Sequence, residues 1–174
     1  PSPYWEFTQA SGAASLTSAF SGSARFEFSA PDTWLVGVFK AHSYGNVFVR
    51  AKTSVSPNGT SGLICRLSDQ GWYEFNISPN GTYSFLLGKW LAPDVARYAP
   101  ILTAQSNLLA GVTEQEIGLL CEDNFLQGFV NGTLIRRVEV TNYGLTEGQV
   151  GLAGSSFTEV PASLSFEWIS VSEK

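Results

Sequence analysis

The sequence predicts an all-β protein, built as an antiparallel sandwich of two sheets. Short apolar runs recur at close spacing, turn residues separate them, and no segment keeps a helical period over three turns. The 17 glycines and a charged fraction of 14% also suit strands and tight turns better than exposed helices. An antiparallel sandwich is the architecture that such a series of short strands favours.

Roughly ten strands follow one another at short spacing, as in sandwiches and barrels. Between 117 and 140, Asp123-Asn124 and Asn131-Gly132 separate three runs and predict a meander. Pro79-Asn80-Gly81 predicts the turn of a hairpin with arms at 72–77 and 82–87. Further strands are predicted at 24–29, 34–40, 47–55, 62–67, 149–154 and 164–171, and a short helical turn at 92–102. No linker or repeat divides the chain, so we expect one domain over 1–174.

Charge and composition exclude several classes of function. A net charge of -5 and a pI near 4.8 argue against nucleic acid or an anionic membrane as a partner. No apolar segment approaches the length of a membrane span, and no secretory signal is present. One histidine and two cysteines cannot build a multi-histidine or structural zinc site. No cofactor is expected, although calcium stays open. The chain starts at Pro1 and lacks methionine, so we expect a processed product or part of a longer protein.

The hairpin at 72–87 has two chemically different faces, because successive side chains of a strand point to opposite sides. Tyr73, Phe75 and Ile77 form an apolar face that is expected in the core. Trp72, Glu74 and Asn76 form the other face, and Arg66 of the preceding strand joins it if Leu63, Cys65 and Leu67 point inward.

An indole among a carboxylate, an amide and the hydroxyls of Thr82 and Ser84 suits a sugar, whose ring stacks on an aromatic face while its hydroxyls need fixed partners. We therefore predict a ligand site on this polar face, with Trp90 and Trp34 as weaker aromatic candidates. The site residues are Trp72, Arg66, Glu74, Asn76 and Trp90.

A purely structural role for this face is the alternative. A loop such as 88–110 would then cover Trp72, and Glu74 with Arg66 would be a solvated ion pair of little energetic weight. Trp5 and Trp168 are expected in the core.

The two cysteines end similar runs, Gly-Leu-Ile-Cys65 and Gly-Leu-Leu-Cys121. Two interpretations stay open: each is a small buried apolar residue, or the two form a disulfide. A disulfide would favour an exported protein, because such bonds persist outside the reducing cytosol.

Several runs of the chain together resemble the concanavalin A-like lectin/glucanase superfamily. The resemblance covers about 20–172 and is strongest to bacterial laminin-G-like and 3-keto-disaccharide hydrolase-like jelly-roll domains. The runs that carry it are GLICRLSDQGWYEFNISPNGTYSFLLGKW (62–90), SNLLAGVTEQEIGLLCEDNFLQGFVNGTLIRRVEV (106–140), GQVGLAG (148–154) and LSFEWISV (164–171).

The resemblance implies a concanavalin A-like jelly roll with one concave sheet whose open face often binds glycans. Catalytic members of the superfamily carry a Glu-x-Asp-x-x-Glu strand, because retaining hydrolysis needs two close carboxylates. This chain lacks that pattern: Glu114-Gln115-Glu116 and Glu122-Asp123 have other spacings. Calcium, a cofactor of some members, has candidate ligands at Glu122-Asp123-Asn124, which also reads as an ordinary turn.

Three functions follow from these patterns. The first is a non-catalytic, lectin-like carbohydrate-binding module of an exported or cell-surface bacterial protein, whose partner is a glycan or polysaccharide. The second is a protein-interaction or sensory ectodomain without a sugar site, and the third is a glycoside hydrolase. The absent carboxylate motif makes an enzyme the less favoured of these.

Overall fold

The computed structural model describes residues 3–9, 14–20, 23–93 and 95–174. Fourteen strands and one short 3-10 helix (Thr141–Tyr143) make up the regular structure of these residues. In chain order the strands are β1 (Trp5–Gln9), β2 (Ala14–Phe20), β3 (Ser23–Phe28), β4 (Trp34–Tyr44), β5 (Val47–Val55), β6 (Gly59–Ser68), β7 (Gly71–Ile77), β8 (Thr82–Ala92), β9 (Val95–Gln105), β10 (Glu114–Glu122), β11 (Phe125–Val130), β12 (Thr133–Glu139), β13 (Gly148–Ser156) and β14 (Ala162–Glu173).

The strands form two seven-stranded antiparallel sheets. We call the sheet with the order β1-β4-β13-β6-β7-β8-β9 the front sheet. The back sheet has the order β12-β11-β10-β5-β14-β3-β2. The predicted all-β sandwich is therefore confirmed.

The main core lies between the two sheets and follows from strand alternation. In β5 every second residue from Val47 to Val55 is buried, and the residues between them are partly exposed. Tyr73, Phe75 and Ile77 of β7 enter the same core, as the hairpin pattern predicts.

A disulfide between Cys65 of β6 and Cys121 of β10 crosses this core. The two strands are not neighbours in one sheet but face each other from opposite sheets. Both cysteines are fully buried, so the bridge, one of the two interpretations that the sequence left open, links the sheets from inside.

The predicted turns are confirmed by their backbone geometry. Gly81 has φ 96° between β7 and β8, and Asn131 and Gly132 have φ 48° and 78° between β11 and β12. Positive φ at both central residues matches the twist of a two-residue hairpin loop.

The helical turn predicted at 92–102 is wrong, because this segment contributes most of strand β9. Its residues pair with β8 from Val95 to Gln105. β9 lies at the edge of the front sheet, and the register shifts beside Pro100. An edge position and a bulge are the places where a strand tolerates proline, which has no N–H to donate.

Two further predictions fail because bulges change the phase of alternation. Between Cys65 and Ser68 the register of β6 shifts, so Leu67 packs on the outer side of the front sheet instead of in the main core. A second shift between Phe166 and Trp168 turns Ile169 inward and leaves Trp168 half-buried outside the core. Trp5 lies in β1 and packs against the core as expected.

Candidate functional site

Trp72 lies on the outer face of the front sheet, where β7 pairs with β8. Its backbone partner is Gly88, and a Cβ on Gly88 would overlap the indole ring. The glycine therefore provides the space in which the indole lies flat across the neighbouring strand. Trp72 is 0% exposed, because Trp90 and Tyr98 cover it with ring centroids at 4.7 Å and 5.7 Å.

These rings belong to a second apolar cluster, separate from the main core, which we call the outer cluster. Its buried members come from β4, β6, β7 and β13, and four half-buried residues, three of them aromatic, pack around them. The members are Val36, Val38, Ile64, Leu67, Trp72 and Ala153, with Trp34, Trp90, Ala96 and Tyr98 packed against them.

Glu74 is the next outward residue of β7 and is only 3% exposed. Its Oε2 accepts the indole N–H of Trp72 at 3.0 Å, and its Oε1 accepts the side-chain amide of Asn76 at 2.7 Å. Tyr98 contributes a further hydrogen bond. No Lys, Arg or His forms an ion pair with this carboxylate among the residues that the structure describes.

The environment of Glu74 changes the acidity of two groups. Burial raises the pKa of Glu74 above its ordinary value, although the hydrogen bonds from Trp72, Asn76 and Tyr98 act in the opposite direction. Burial also raises the pKa of the Tyr98 phenol well above its ordinary value, and the neighbouring Glu74 adds to that shift.

Asn76 completes the outward row of β7. Its side chain lies across Gly62 of β6, where any Cβ would collide with Oδ1 of the amide. The amide nitrogen donates to Glu74, whereas the buried Oδ1 has no hydrogen-bond partner. An unpaired buried acceptor is energetically costly.

A pocket of about 370 Å³ opens beside this row, and we call it the front pocket. It combines aromatic surface, two carboxylates, an amide and several hydroxyls. Its lining residues are Asp32, Thr33, Trp34, Glu74, Asn76, Leu86, Tyr98, Gly154, Ser155 and Ser156.

Hydrogen bonds fix the polar rim of the front pocket. Thr33 and Ser156 share a hydroxyl–hydroxyl bond of 2.9 Å, and Ser156 also donates to the carbonyl of Ala30 at 2.8 Å. Ser155 bonds to Thr60 at 2.6 Å. The loop before β4 is thus tied to the end of β13, which holds Asp32 and Trp34 at the pocket.

Structures of known proteins share this architecture. The carbohydrate-binding module CBM66 from Bacillus subtilis aligns with a TM-score of 0.70 at 12% identity, over 98% of this chain and 96% of that one. A Bacillus licheniformis β-glucanase aligns with a TM-score of 0.64 at 12% identity, over 100% and 94% of the two chains. A Bacillus subtilis protein of unknown function with a galectin-like fold aligns with a TM-score of 0.66 at 10% identity, over 97% and 89%. The chain has a concanavalin A-like jelly-roll fold. No family model matches the sequence, and no curated protein matches it either.

The jelly roll brings together only part of the predicted site. Glu74 and Asn76 line the front pocket, but Trp72 lies behind it with no exposed ring face. Trp90 is half-buried between Trp72 and Trp34, with its centroid 5.9 Å from that of Trp34. Trp90 and Tyr98, which cover Trp72, lie within 88–110. This is the segment that the purely structural alternative predicted as the cover.

Arg66 lies outside the front pocket, in the bulge of β6. At φ 53° its side chain turns to the end of the jelly roll and is 2% exposed. The guanidinium donates to the carbonyls of Gly45 (3.1 Å), Asp123 (2.8 Å) and Leu145 (3.1 Å), and to Oδ1 of Asn46 (3.2 Å). Burial lowers its pKa from the ordinary value. Arg66 therefore joins three loops and forms no ion pair with Glu74.

Several pocket residues lacked a clear sequence signal. Trp34 begins the run WLVGVFK, which is apolar on both faces, so alternation cannot assign the tryptophan to either side. Asp32 stands in a turn with φ 51°, a conformation that Asp adopts in many ordinary turns. Tyr98 lies in the segment predicted as a helical turn, so its position opposite Gly88 was not foreseeable.

The described residues offer neither a cluster of metal-ligating side chains nor a membrane-spanning helix. No group of three or more His, Cys, Asp or Glu side chains lies close enough there to hold a metal ion. In the same part of the chain, no helix has the length and apolarity to cross a membrane.

Proposed function

We propose that this jelly roll is a non-catalytic carbohydrate-binding domain whose ligand site is the front pocket. The observation that carries the proposal is the position of half-buried Trp34 in one pocket with Glu74 and Asn76. In carbohydrate sites a sugar ring commonly stacks on an aromatic face, while fixed polar groups bind its hydroxyls. The alignment with a carbohydrate-binding module over nearly the whole chain agrees with this role.

In this proposal Trp34 is the stacking platform, with Trp90 and Trp72 behind it. The three rings form a continuous row with centroid separations of 5.9 Å and 4.7 Å. Such packing restricts the rotamers of Trp34, so little conformational entropy is lost when a ligand stacks on it.

The hydrogen bonds of Glu74 favour binding over catalysis. Both carboxylate oxygens already accept bonds from protein side chains. A general acid or nucleophile has to reach the scissile bond of its substrate, whereas this carboxylate orients Trp72 and Asn76.

A glycoside hydrolase is the second candidate. Asp32 and Glu74 line the same pocket, and the aligned β-glucanase shows that the fold also occurs in a glucan-cleaving enzyme. Release of reducing ends from any bound polysaccharide, abolished in Glu74→Gln, would favour this candidate.

An extracellular location fits the proposed role. Cys65 and Cys121 form a disulfide, and such bonds persist in oxidising compartments. A domain for polysaccharides would meet its ligand there.

The test is binding of the wild-type protein and Trp34→Ala to a broad glycan and polysaccharide array. We expect the wild type to bind at least one carbohydrate and Trp34→Ala to lose most of that affinity while staying folded. Trp168→Ala is the matched control, because Trp168 is also half-buried but lies in the back sheet. No binding by the wild type would overturn the proposal and favour a protein partner, the second function predicted from the sequence.

A further inference from the structure

We infer that the front pocket selects uncharged glycans and rejects glycans that carry carboxylate or sulfate groups. The inference rests on the proposed function and specifies the chemical class of its ligand. It follows from the position of every basic side chain in the protein and from the acceptors that line the pocket.

The sequence has ten Lys and Arg residues and one histidine, and none of these eleven side chains lines the front pocket. Six of them belong to strands of the back sheet or to the chain end that follows it: Arg25, Arg50, Lys52, Arg136, Arg137 and Lys174. The nine residues outside the described part of the chain include no Lys, Arg or His either.

The other four basic residues belong to the front sheet but are directed elsewhere. Arg66 is buried in its bonds to loop carbonyls. Lys89 and Arg97 pair opposite each other on β8 and β9, and alternation points them away from the face that carries Trp90. Lys40 forms an ion pair with Glu6 and lies six residues along β4 from Trp34, roughly 20 Å away at the rise of a strand.

The polar groups of the pocket are rich in acceptors. Asp32 presents an exposed carboxylate, Glu74 is a second carboxyl group, and Oδ1 of Asn76 is a buried acceptor without a partner. The hydroxyls of an uncharged sugar can donate to the exposed carboxylate of Asp32, whereas Glu74 and Oδ1 of Asn76 are almost enclosed by protein. An anionic sugar needs cationic or N–H donors, and its charge would instead face the carboxylates of a protein with net charge -5.

The experiment compares matched oligosaccharides that differ in charge. The probes are gluco-, galacto- and manno-oligosaccharides, their C6-oxidised uronic acid counterparts and their sulfated forms, measured by titration against the wild-type protein at low salt. We expect any neutral chain that binds to lose at least about tenfold in affinity when it is oxidised or sulfated, which corresponds to about 1.4 kcal/mol.

Asp32→Asn tests whether the pocket charge causes this discrimination. The variant should bind the uronic acid form several times more tightly than the wild type does. Asp69→Asn is the matched control, because it removes an exposed carboxylate in the β6–β7 turn outside the pocket. It should leave the discrimination unchanged.

An uronic or sulfated chain that binds as tightly as its neutral counterpart would overturn the inference while leaving the carbohydrate-binding function intact. Equal effects of Asp32→Asn and Asp69→Asn would also overturn it, since the selectivity would then come from net charge alone. If no oligosaccharide of any class binds, the proposed carbohydrate-binding function itself is wrong. This outcome is distinguishable from binding of a charged oligosaccharide, which contradicts only the ligand class.

Discussion

The indole N–H of Trp72 donates a hydrogen bond to Oε2 of Glu74 across 3.0 Å, in a site where both side chains are almost completely buried. Strand alternation places these residues on one face, two positions apart. The bond satisfies the only polar group of the indole and one oxygen of a carboxylate that lacks an ion-pair partner among the described residues. Trp72 therefore supports Glu74, which lines the front pocket, and does not line the pocket itself.

Trp72→Phe should destabilise the protein by about 1–3 kcal/mol, because Oε2 of Glu74 loses its donor in a buried site. Urea denaturation monitored by circular dichroism measures the change. Trp168→Phe, at the half-buried tryptophan of the back sheet, should cost clearly less. Equal costs at the two positions would show that the hydrogen bond contributes little.

Glu74 should make the free energy of unfolding depend on pH. Its pKa in the folded protein is raised above the ordinary value of 4.5, so the folded state holds the proton more tightly than the unfolded state does. This contribution is complete below 4.5 and is lost as pH rises through the raised folded pKa. The stability of the wild type relative to Glu74→Gln should therefore fall as pH rises.

Urea denaturation of wild type and Glu74→Gln from about pH 4 to about pH 8 checks this sign. Glu147→Gln, which removes an exposed loop carboxylate, corrects for the change in net charge. If the wild type instead gained stability relative to Glu74→Gln as pH rises, the hydrogen bonds to Glu74 would outweigh its burial.

Arg66→Lys should destabilise the protein by about 2–4 kcal/mol, although it keeps the positive charge. An ammonium group cannot reproduce the planar fork that bonds the carbonyls of Gly45, Asp123 and Leu145, so buried acceptors lose their partners. The exposed Arg97→Lys should change stability by less than about 0.5 kcal/mol.

The same variant tests the predicted part of Arg66 in ligand binding. Measured on folded protein, the glycan affinity of Arg66→Lys should equal that of the wild type, because Arg66 does not line the front pocket. A loss of glycan affinity in Arg66→Lys that is still folded would show that Arg66 contributes to the ligand site.

Replacing both cysteines by alanine should cost about 4 kcal/mol of stability in the chain-entropy model, given the separation of 56 residues. Urea midpoints of the wild type with and without reductant, compared with those of the double variant, measure the effect. Reductant should lower the wild-type midpoint and leave that of the variant unchanged. Two titratable thiols in denatured, unreduced protein would contradict the disulfide.

Alternation and turn chemistry predicted the sandwich, the hairpins and the two faces of β7, because those features are local. The bulges in β6 and β14 change the phase of their strands, so Leu67 and Trp168 appear on unexpected sides. Such irregularities have no reliable signature in a single sequence. The cover over Trp72 depends on Tyr98, which is 26 positions away and is placed by the pairing of β8 with β9. Of the residues that line the pocket, Glu74 and Asn76 were predicted as site residues and Trp34 as a weaker candidate, whereas Asp32 and Tyr98 needed the three-dimensional arrangement.

The separation of the outer cluster from the main core makes the jelly roll suitable for protein engineering. Leu86 lines the front pocket, while its neighbours Phe85 and Leu87 are held in the core between the sheets. Thr33, Trp34, Leu86 and Ser155 all line the front pocket, and none of them belongs to the main core between the sheets. A library of variants at these four positions would therefore vary the pocket surface while every residue of the main core is kept.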